Sequence, residues 1–208
     1  MTRKATWKTN ESLLLHIFPS FLGDIHLLLH ENKLVYSGFH HPVTDHPRIP
    51  VGLREMIRAA QVEEPAAPDL PDYPALYKAC KEFEGYLRGE RRSFSIPFTL
   101  YGTDFQTAVW KQLLLVPYGT TVTYSLLAAG AGYPRSVRAA GSAVGTNPLG
   151  ILVPCHRVLP AAGGIGNYES GPERKEGLLR LEGYLDGDSQ PILHQSSRSS
   201  SRNTAAAE

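Results

Sequence analysis

The chain has 208 residues, of which 42% are hydrophobic and 20% are charged, and its formal net charge is +1. This composition indicates one or two compact domains, and it excludes both a disordered tail and a histone-like polycation. Any affinity for nucleic acid must therefore come from local patches of positive charge.

The two cysteines, Cys80 and Cys155, lie far apart and form no CxxC pair. This usage argues against a disulfide framework or a sulfur-rich zinc site and favours a reducing compartment. No apolar run approaches the ~18 residues of a membrane span, and the first residues lack the apolar core of a signal peptide. We expect a soluble protein with no membrane partner, cytoplasmic, or nuclear if the source is eukaryotic.

The first half of the chain contains strand and helix patterns. Residues 13–39 comprise three short apolar runs separated by the turn-forming segments PSFLG and HENK, a pattern that predicts an antiparallel meander. Residues 40–73 are rich in Pro and His and are predicted to be mostly loop, with one short helix at 51–60. An amphipathic helix is predicted next, at 74–88, from apolar residues at helical spacing: Leu76, Cys80, Phe83 and Leu87. Cys80 is thus a packing residue.

A helix-turn-helix is predicted in the second half. One helix presents Phe105, Val109, Trp110 and Leu113 on a single face, and a short helix follows from a Thr123 cap. After a turn broken by Gly and Pro, a further helix at 136–144 directs Arg138 and Ser142 outward. Two helices joined by such a turn resemble a DNA-binding helix-turn-helix motif. Most helix pairs of this kind, however, serve only to form part of the hydrophobic core.

The placement of charge favours the DNA-binding alternative. Residues 105–168 contain no Asp or Glu, whereas Lys111, Arg135, Arg138 and Arg157 are present. An acid-free surface suits a polyanion. The other interpretation, that a Gly- and Ala-rich segment simply holds few charges, stays open for this run by itself.

The last part of the chain holds the candidate chemistry. An apolar run at 151–153, predicted to be a short strand, precedes the sequence PCHRV, and a Gly-rich loop follows. A final helix is predicted at 173–185, with Glu182 beside its apolar face. The Ser-rich segment 187–208 is predicted to be disordered.

A Cys beside a His, with a Glu later in the chain, has the ingredients of an activated thiolate. The alternative is a buried structural cysteine, because successive side chains of an extended segment point to opposite faces. Contact between Cys155 and His156 would need a water relay, or a bend enforced by Pro154.

Five segments carry a resemblance to a known family: GTDFQTAVWKQLLLVPYGTTVTY, RAAGSAVGTNP, ILVPCHRVLP, GNYESG and KEGLLRLEG. In order and spacing they are similar to the O6-alkylguanine-DNA alkyltransferases, strongly over residues 102–183 and more loosely before them. The resemblance implies DNA repair by irreversible transfer of an alkyl group from O6-alkylguanine, and from O4-alkylthymine, to a cysteine of the protein. The lesion would be flipped out of double-stranded DNA from the minor groove.

The resemblance also implies roles for the site residues. Cys155 would be the nucleophile, with His156, through a water, and Glu182 lowering the cost of forming its thiolate. Tyr124 would assist base flipping and donate a proton to the purine, and Asn147 would tie the recognition helix to the active-site turn. The further substrate and DNA contacts would be Arg138, filling the space of the flipped base, Arg135, Ser142, Tyr168, Lys175 and the carbonyl groups of Cys155 and Val158.

Two features depart from the family pattern. Some relatives bind zinc through Cys and His in the N-terminal domain, but this chain has no Cys before Cys80, so we expect no metal and no cofactor. His40, His41 and His46 are expected to be exposed loop residues, because a closed zinc site needs further ligands. Glu169 stands where many relatives have a small or hydroxyl residue. It is either an exposed loop residue without effect or a pocket residue that alters the substrate range.

The predicted fold is α/β. An N-terminal domain at 1–98 has a small antiparallel sheet and helices, and a mostly helical, winged helix-turn-helix-like domain follows at 99–186. We expect a monomer, and cooperativity on DNA stays open. The alternatives are a non-catalytic lesion-binding relative, in which the cysteine of PCHR is replaced, and a Cys-His hydrolase, which would not explain the acid-free helix-turn-helix.

Overall fold

A computed structural model of the chain describes residues 12–42 and 49–185. Its first element is the antiparallel meander, with β1 at Leu13–Phe18, β2 at Ile25–His30 and β3 at Lys33–Gly38. Glu31 and Asn32 join β2 to β3 with φ angles of 49° and 61°, as a tight two-residue hairpin requires. The predicted meander is therefore confirmed.

Residues 49–98 complete this part of the fold. They contain α1 at Val51–Ala59, the short strand β4 at Val62–Glu63, a 3₁₀ helix at Ala67–Asp72 and α2 at Pro74–Leu87. β4 pairs in parallel with β1 and gives the strand order β3-β2-β1-β4. The two helices predicted at 51–60 and 74–88 are confirmed as α1 and α2. By contrast, β4 and the 3₁₀ helix lie in a segment that was expected to be mostly loop.

The two faces of the sheet are buried by different helices. Leu13 and Leu15 of β1 pack with Leu53 of α1, while Leu27 of β2 packs with Phe83 of α2. Alternate residues of a strand point to opposite faces, so the leucine-rich strands supply both cores. The cluster around α2 continues into the residues after 98. The boundary at residue 98 stays a prediction.

The second half is mostly helical. Its helices are α3 at Asp104–Leu113, α4 at Tyr124–Gly130, α5 at Val137–Gly145 and α6 at Pro172–Leu181. Two short strands, β5 at Val122–Thr123 and β6 at Val158–Leu159, form a parallel pair that the sequence did not predict. A 3₁₀ turn occupies Cys155–Arg157.

Local chemistry explains where α3 and α4 begin. Thr103 and Gln106 form a capping box at the start of α3, and the Thr123 hydroxyl accepts a hydrogen bond from the Leu126 backbone at the start of α4. Trp110 of α3 is fully buried, and its Nε1 donates to the carbonyl of Ala143 in α5 at 2.8 Å. This contact fixes α5, the candidate DNA-recognition helix, to the hydrophobic core.

Two elements differ from the sequence prediction. Residues 151–153 form a turn, not a strand, and Ile151 has a φ of 71° that ends extended structure. The last helix stops at Leu181, because Gly183 takes a φ of 72° outside the helical region. Glu182 is therefore the C-cap residue of α6 rather than a residue on its side.

In the part of the chain that the structure describes, none of the helices is long and apolar enough for a membrane span. The predicted disordered segment 187–208 and His46 lie outside the described residues.

Candidate active site and DNA-recognition helix

Cys155 lies in the turn that follows α5, and Asn147 holds that turn against the helix. The Asn147 side-chain amide donates to the Val153 carbonyl at 2.8 Å, and its Oδ1 accepts from the Leu149 backbone at 3.0 Å. The N-terminal sheet supports the same turn, because Ser37 of β3 donates its hydroxyl to the Gly150 carbonyl at 2.7 Å. Cys155 itself is 8% exposed.

A cavity opens beside Cys155, and both halves of the chain line it. Its walls come from the end of β3, the end of α5 and the loop after β6, including Phe39, Asn147, Tyr168 and Glu169. The Tyr168 Oη lies 3.9 Å from the Cys155 Sγ. The cavity is thus the space from which a substrate atom would approach the sulfur.

Burial raises the pKa of the Cys155 thiol, although the Asn147 and Tyr168 side chains and the charge of Lys175 oppose the rise. The sulfur is therefore held as a thiol in the resting protein, and forming the thiolate requires a base. Lys175 is almost fully buried, and its Nζ donates to the Val158 carbonyl at 2.7 Å. Burial lowers the pKa of Lys175 to about 8.

The candidate base is His156, which is fully buried and directed toward Glu182. The distance between His156 Nε2 and Glu182 Oε1 is 2.6 Å, and neither side chain is exposed. Burial lowers the pKa of His156, against the opposing effect of Glu182, so the imidazole is neutral near pH 7. With Nε2 directed at the carboxylate, Nδ1 is a buried atom that no described protein group hydrogen-bonds.

Arg157 supplies the permanent counter-charge of Glu182. The Arg157 Nε donates to Glu182 Oε2 at 2.9 Å, and the Arg157 Nη2 donates to Glu182 Oε1 at 2.9 Å. The two residues thus form a bidentate ion pair within the protein interior. The Gly119 backbone N–H adds a bond of 3.0 Å to Oε2, and the Tyr86 hydroxyl donates to Oε1. Burial alone would raise the pKa of Glu182, but His156 and Arg157 hold it far below its usual value.

This network corrects one sequence interpretation and adds two residues. Arg157 was counted among the cations of a DNA-facing surface, but it is 7% exposed and paired with Glu182, so it contributes nothing to that surface. Its position within PCHRV, next to His156, was the signal that could have assigned it to the site. Tyr86 lies on α2 in the first half, and no sequence signal connected it to Glu182.

The helix-turn-helix consists of α4 and α5, and its outer surface is basic. Arg135, Arg138 and Ser142 are exposed, as predicted, and Lys111 of α3 is exposed as well. A Cβ added at Gly141 would lie 3.7 Å from the Tyr124 ring, so α5 passes close to that tyrosine. Burial, followed by the charge of Cys155, raises the pKa of Tyr124, which therefore keeps its proton.

Glu169 follows the second of the two alternatives left open for it, and His40 and His41 are partly buried rather than exposed as expected. Glu169 lines the cavity, its side chain is 21% exposed, and its Oε2 lies 3.5 Å from His40 Nε2. The ring of His41 lies against that of His26, with 5.4 Å between the centroids. Among the residues at 12–42 and 49–185, no group of three His, Cys, Asp or Glu could hold a metal.

Comparison with known proteins gives the family. Residues 104–184 match the model of the 6-O-methylguanine DNA methyltransferase DNA-binding domain. The methylated-DNA–protein-cysteine methyltransferase of Mycobacterium bovis is 46% identical over 112 residues, which are 54% of this chain and 68% of that protein. The inducible enzyme of that name from Bacillus subtilis is 40% identical over 130 residues, 62% of this chain and 73% of that protein.

Solved structures agree with the sequence comparison. The crystal structure of Mycobacterium tuberculosis O6-methylguanine methyltransferase has a TM-score of 0.67 and 32% identity, covering 86% of this chain and 96% of that one. A crystal structure of Mycobacterium tuberculosis OGT in complex with DNA has a TM-score of 0.66 and 32% identity, covering 81% and 92%.

The helix-turn-helix and the family match together define a DNA-binding enzyme. The chain belongs to the methylated-DNA–protein-cysteine methyltransferase family, and it acts in DNA repair by alkyl transfer. The resemblance drawn from the sequence motifs and the α/β fold class are confirmed. The roles assigned to single residues stay predictions.

Proposed function

We propose that the chain repairs O6-alkylguanine in double-stranded DNA by transferring the alkyl group to the thiol of Cys155, once per protein molecule. The observation that carries this proposal is the position of Cys155. It lies on the wall of a cavity that the C-terminal end of α5 also lines, and it is next to a buried His156 whose Nε2 contacts Glu182 at 2.6 Å. A soft thiolate is well suited to attack an unactivated alkyl carbon.

The proton of Cys155 must leave before the attack. The neutral imidazole of His156 accepts it at Nδ1 through a water, because Nε2 is already engaged by Glu182. Glu182, kept ionised by Arg157, then stabilises the imidazolium. The sulfur forms a bond to the alkyl carbon as the carbon–O6 bond breaks, and the bonding electrons remain on guanine.

The leaving guanine takes a proton, which we assign to the Tyr124 phenol, because its raised pKa keeps that phenol protonated. The product is a thioether at Cys155, which has lost its proton and carries the alkyl group. Water does not cleave such a bond under mild conditions, so the sulfur is not regenerated.

Recognition of the base involves the backbone around Cys155. We assign the carbonyl groups of Cys155 and Val158 as acceptors for the guanine 2-amino group, and Tyr168 as a wall of the pocket. Lys175 already donates to the Val158 carbonyl at 2.7 Å, which fixes its direction. A carbonyl oxygen has two lone pairs, so the Lys175 bond leaves the Val158 carbonyl one further acceptor site.

The damaged base is stacked inside the duplex and must be rotated out to reach Cys155. Arg138 is exposed on α5 and takes the space of the flipped nucleotide, while Arg135 and Ser142 contact the backbone. The small residues of α5 let its backbone approach the minor groove, where contacts carry little sequence information. O4-alkylthymine presents a comparable alkyl–oxygen bond and is a second substrate.

Glu169 places a carboxylate in the cavity wall, so the range of accepted alkyl groups depends on it. We further propose that the protein acts as a monomer in the cytoplasm, or in the nucleus if the source is eukaryotic.

The proposed function is tested by mixing the protein with a duplex containing one O6-methylguanine and weighing the intact protein. We expect the mass to increase by one methylene group, once, with the increase located on the peptide that contains Cys155. Tight binding without any gain in mass would instead identify a non-catalytic lesion-binding protein. Repeated turnover of substrate without a modified protein would indicate a hydrolase.

Replacing Arg138 by Ala is expected to slow repair of duplex DNA by at least ~10-fold. Unstacking a base costs a few kcal/mol, and the Arg138 side chain offsets part of that cost by filling the space that the base leaves. Reaction with free benzylguanine should change less than twofold, since that substrate needs no flipping. Single-turnover rates on both substrates provide the measurement. Arg180→Ala, at an exposed site on α6, is the control. Equal losses on both substrates would show that Arg138 supports the fold instead.

A further inference from the structure

Tyr86 links the N-terminal half, residues 12–42 and 49–98, to the candidate proton relay formed by His156 and Glu182. It belongs to α2 and is fully buried. Its hydroxyl donates to Glu182 Oε1 and lies 3.5 Å from His156 Nε2. The hydroxyl therefore lies within reach of both His156 and Glu182, although it comes from the first half of the chain.

The Oε1 atom of Glu182 is shared by three side chains. It accepts from His156 Nε2 at 2.6 Å and from Arg157 Nη2 at 2.9 Å, in addition to Tyr86. A carboxylate oxygen offers about two lone-pair sites, so the three donors compete for its negative charge. A hydrogen bond from Tyr86 thus weakens the pull of Glu182 on the imidazole proton.

The packing around Tyr86 keeps its hydroxyl in place. The ring lies against Phe94, with centroids 5.1 Å apart, and meets the edge of Tyr118 at 5.8 Å. Burial and the charge of Glu182 raise the pKa of Tyr86, so it stays a hydrogen-bond donor throughout the neutral range. Its position is therefore set by α2 and by these two rings, not by the 3₁₀ turn that contains His156.

The other ionisable groups around the His156–Glu182 pair come from several elements. Lys175 lies on α6 and Glu182 at its end, Arg157 follows His156 in the 3₁₀ turn, and Tyr118, which interacts with Glu182, precedes β5. Of these, Glu182 favours the protonated imidazole, while Arg157 and Lys175 oppose it. Tyr86 acts on the same balance by moderating Glu182.

We propose that Tyr86 is a positioning residue for alkyl transfer, whose hydroxyl shares the Glu182 carboxylate with His156 and thereby lowers the proton affinity of the imidazole that receives the Cys155 proton. This inference rests on the proposed function. It gives the N-terminal half a part in activating the cysteine in addition to supporting the fold.

The test compares Tyr86→Phe with wild type in the pH dependence of the single-turnover rate, measured with free benzylguanine and with the methylated duplex between about pH 5 and pH 9. The rate rises with pH as His156 loses its proton. Without the tyrosine hydroxyl, Glu182 binds the imidazolium more strongly, so the rising limb should move to higher pH by about half a unit or more.

Tyr118→Phe is the matched control. It removes a tyrosine hydroxyl from the same region, but that hydroxyl donates to the Leu181 carbonyl at 3.0 Å rather than to Glu182 or His156. We expect its pH profile to coincide with that of wild type. A Tyr86→Phe profile that coincides as well, with only a lower melting temperature, would assign Tyr86 a purely structural role and overturn the proposal.

A second variant covers the case in which Tyr86→Phe does not fold. Incorporating 3-fluorotyrosine at position 86 keeps the ring and makes the hydroxyl a stronger donor, so the rising limb should move to lower pH. No movement would overturn the proposal. If wild-type protein takes up no methyl group from the duplex, the proposed function fails; if it does and the profiles coincide, only the role of Tyr86 fails.

Discussion

Replacing Cys155 by Ala is expected to abolish alkyl transfer and to leave DNA binding within about twofold of wild type. The substitution removes the sulfur that would receive the alkyl group, and among the described residues that line the cavity there is no other thiol. It removes no exposed cation, so the electrostatic part of DNA affinity is unchanged. Intact mass after incubation with methylated duplex, together with a binding titration, provides the measurement.

Cys80→Ala is the matched control for this experiment. Cys80 lies on α2, partly buried against the core, and burial raises the pKa of its thiol to about 12. We expect full transfer activity and a loss of stability of about 1–3 kcal/mol, since a packing side chain is shortened. Alkyl transfer by Cys155→Ala, or its loss in Cys80→Ala, would contradict the assignment of the nucleophile.

Replacing Arg157 by Met is expected to destabilise the protein by about 3–5 kcal/mol, because it leaves the buried carboxylate of Glu182 without its permanent counter-charge. The guanidinium also donates to the Val116 carbonyl at 2.5 Å, and that buried acceptor would lose its donor. Denaturant unfolding of the variant and of wild type measures the difference in the free energy of unfolding.

An exposed ion pair provides the comparison. Arg180 and Glu176 lie 2.6 Å apart on α6, with side chains 40% and 30% exposed. Because solvent screens such a pair, Arg180→Ala should change stability by less than about 1 kcal/mol. The double variant Arg157→Met with Glu182→Gln should recover part of the loss, since no buried charge remains unpaired. Equal effects at the two arginines would show that Glu182 does not require Arg157 in the folded protein.

Local patterns predicted most of the secondary structure correctly. The spacing of Leu76, Phe83 and Leu87 marks α2, and the Thr123 cap marks α4, because helix periodicity and capping depend on residues a few positions apart. The end of α6 was wrong by several residues. Its leucine spacing continues past Leu181, but the backbone conformation at Gly183 ends the helix.

The candidate site was predicted only through the family resemblance. The residues by themselves favoured a structural cysteine, because neighbours on an extended segment point apart. In the fold, a 3₁₀ turn at Cys155–Arg157 directs His156 and Arg157 to Glu182, while Cys155 lines the cavity. The turn thus directs Cys155 and His156 to different surroundings, and the proton transfer proposed between them uses a water.

The meander, the helix-turn-helix with its acid-free segment, and the motif that contains Cys155 are all predictable from the sequence. Three contacts arise only in the folded chain: Tyr86 donates to Glu182, Arg157 is an internal counter-charge, and His40 contacts Glu169. The difference lies in the range of the interactions. Periodicity, caps and charge runs are local in the chain, whereas a buried carboxylate is satisfied by any donor that folding brings within about 3 Å, from any distance along the sequence.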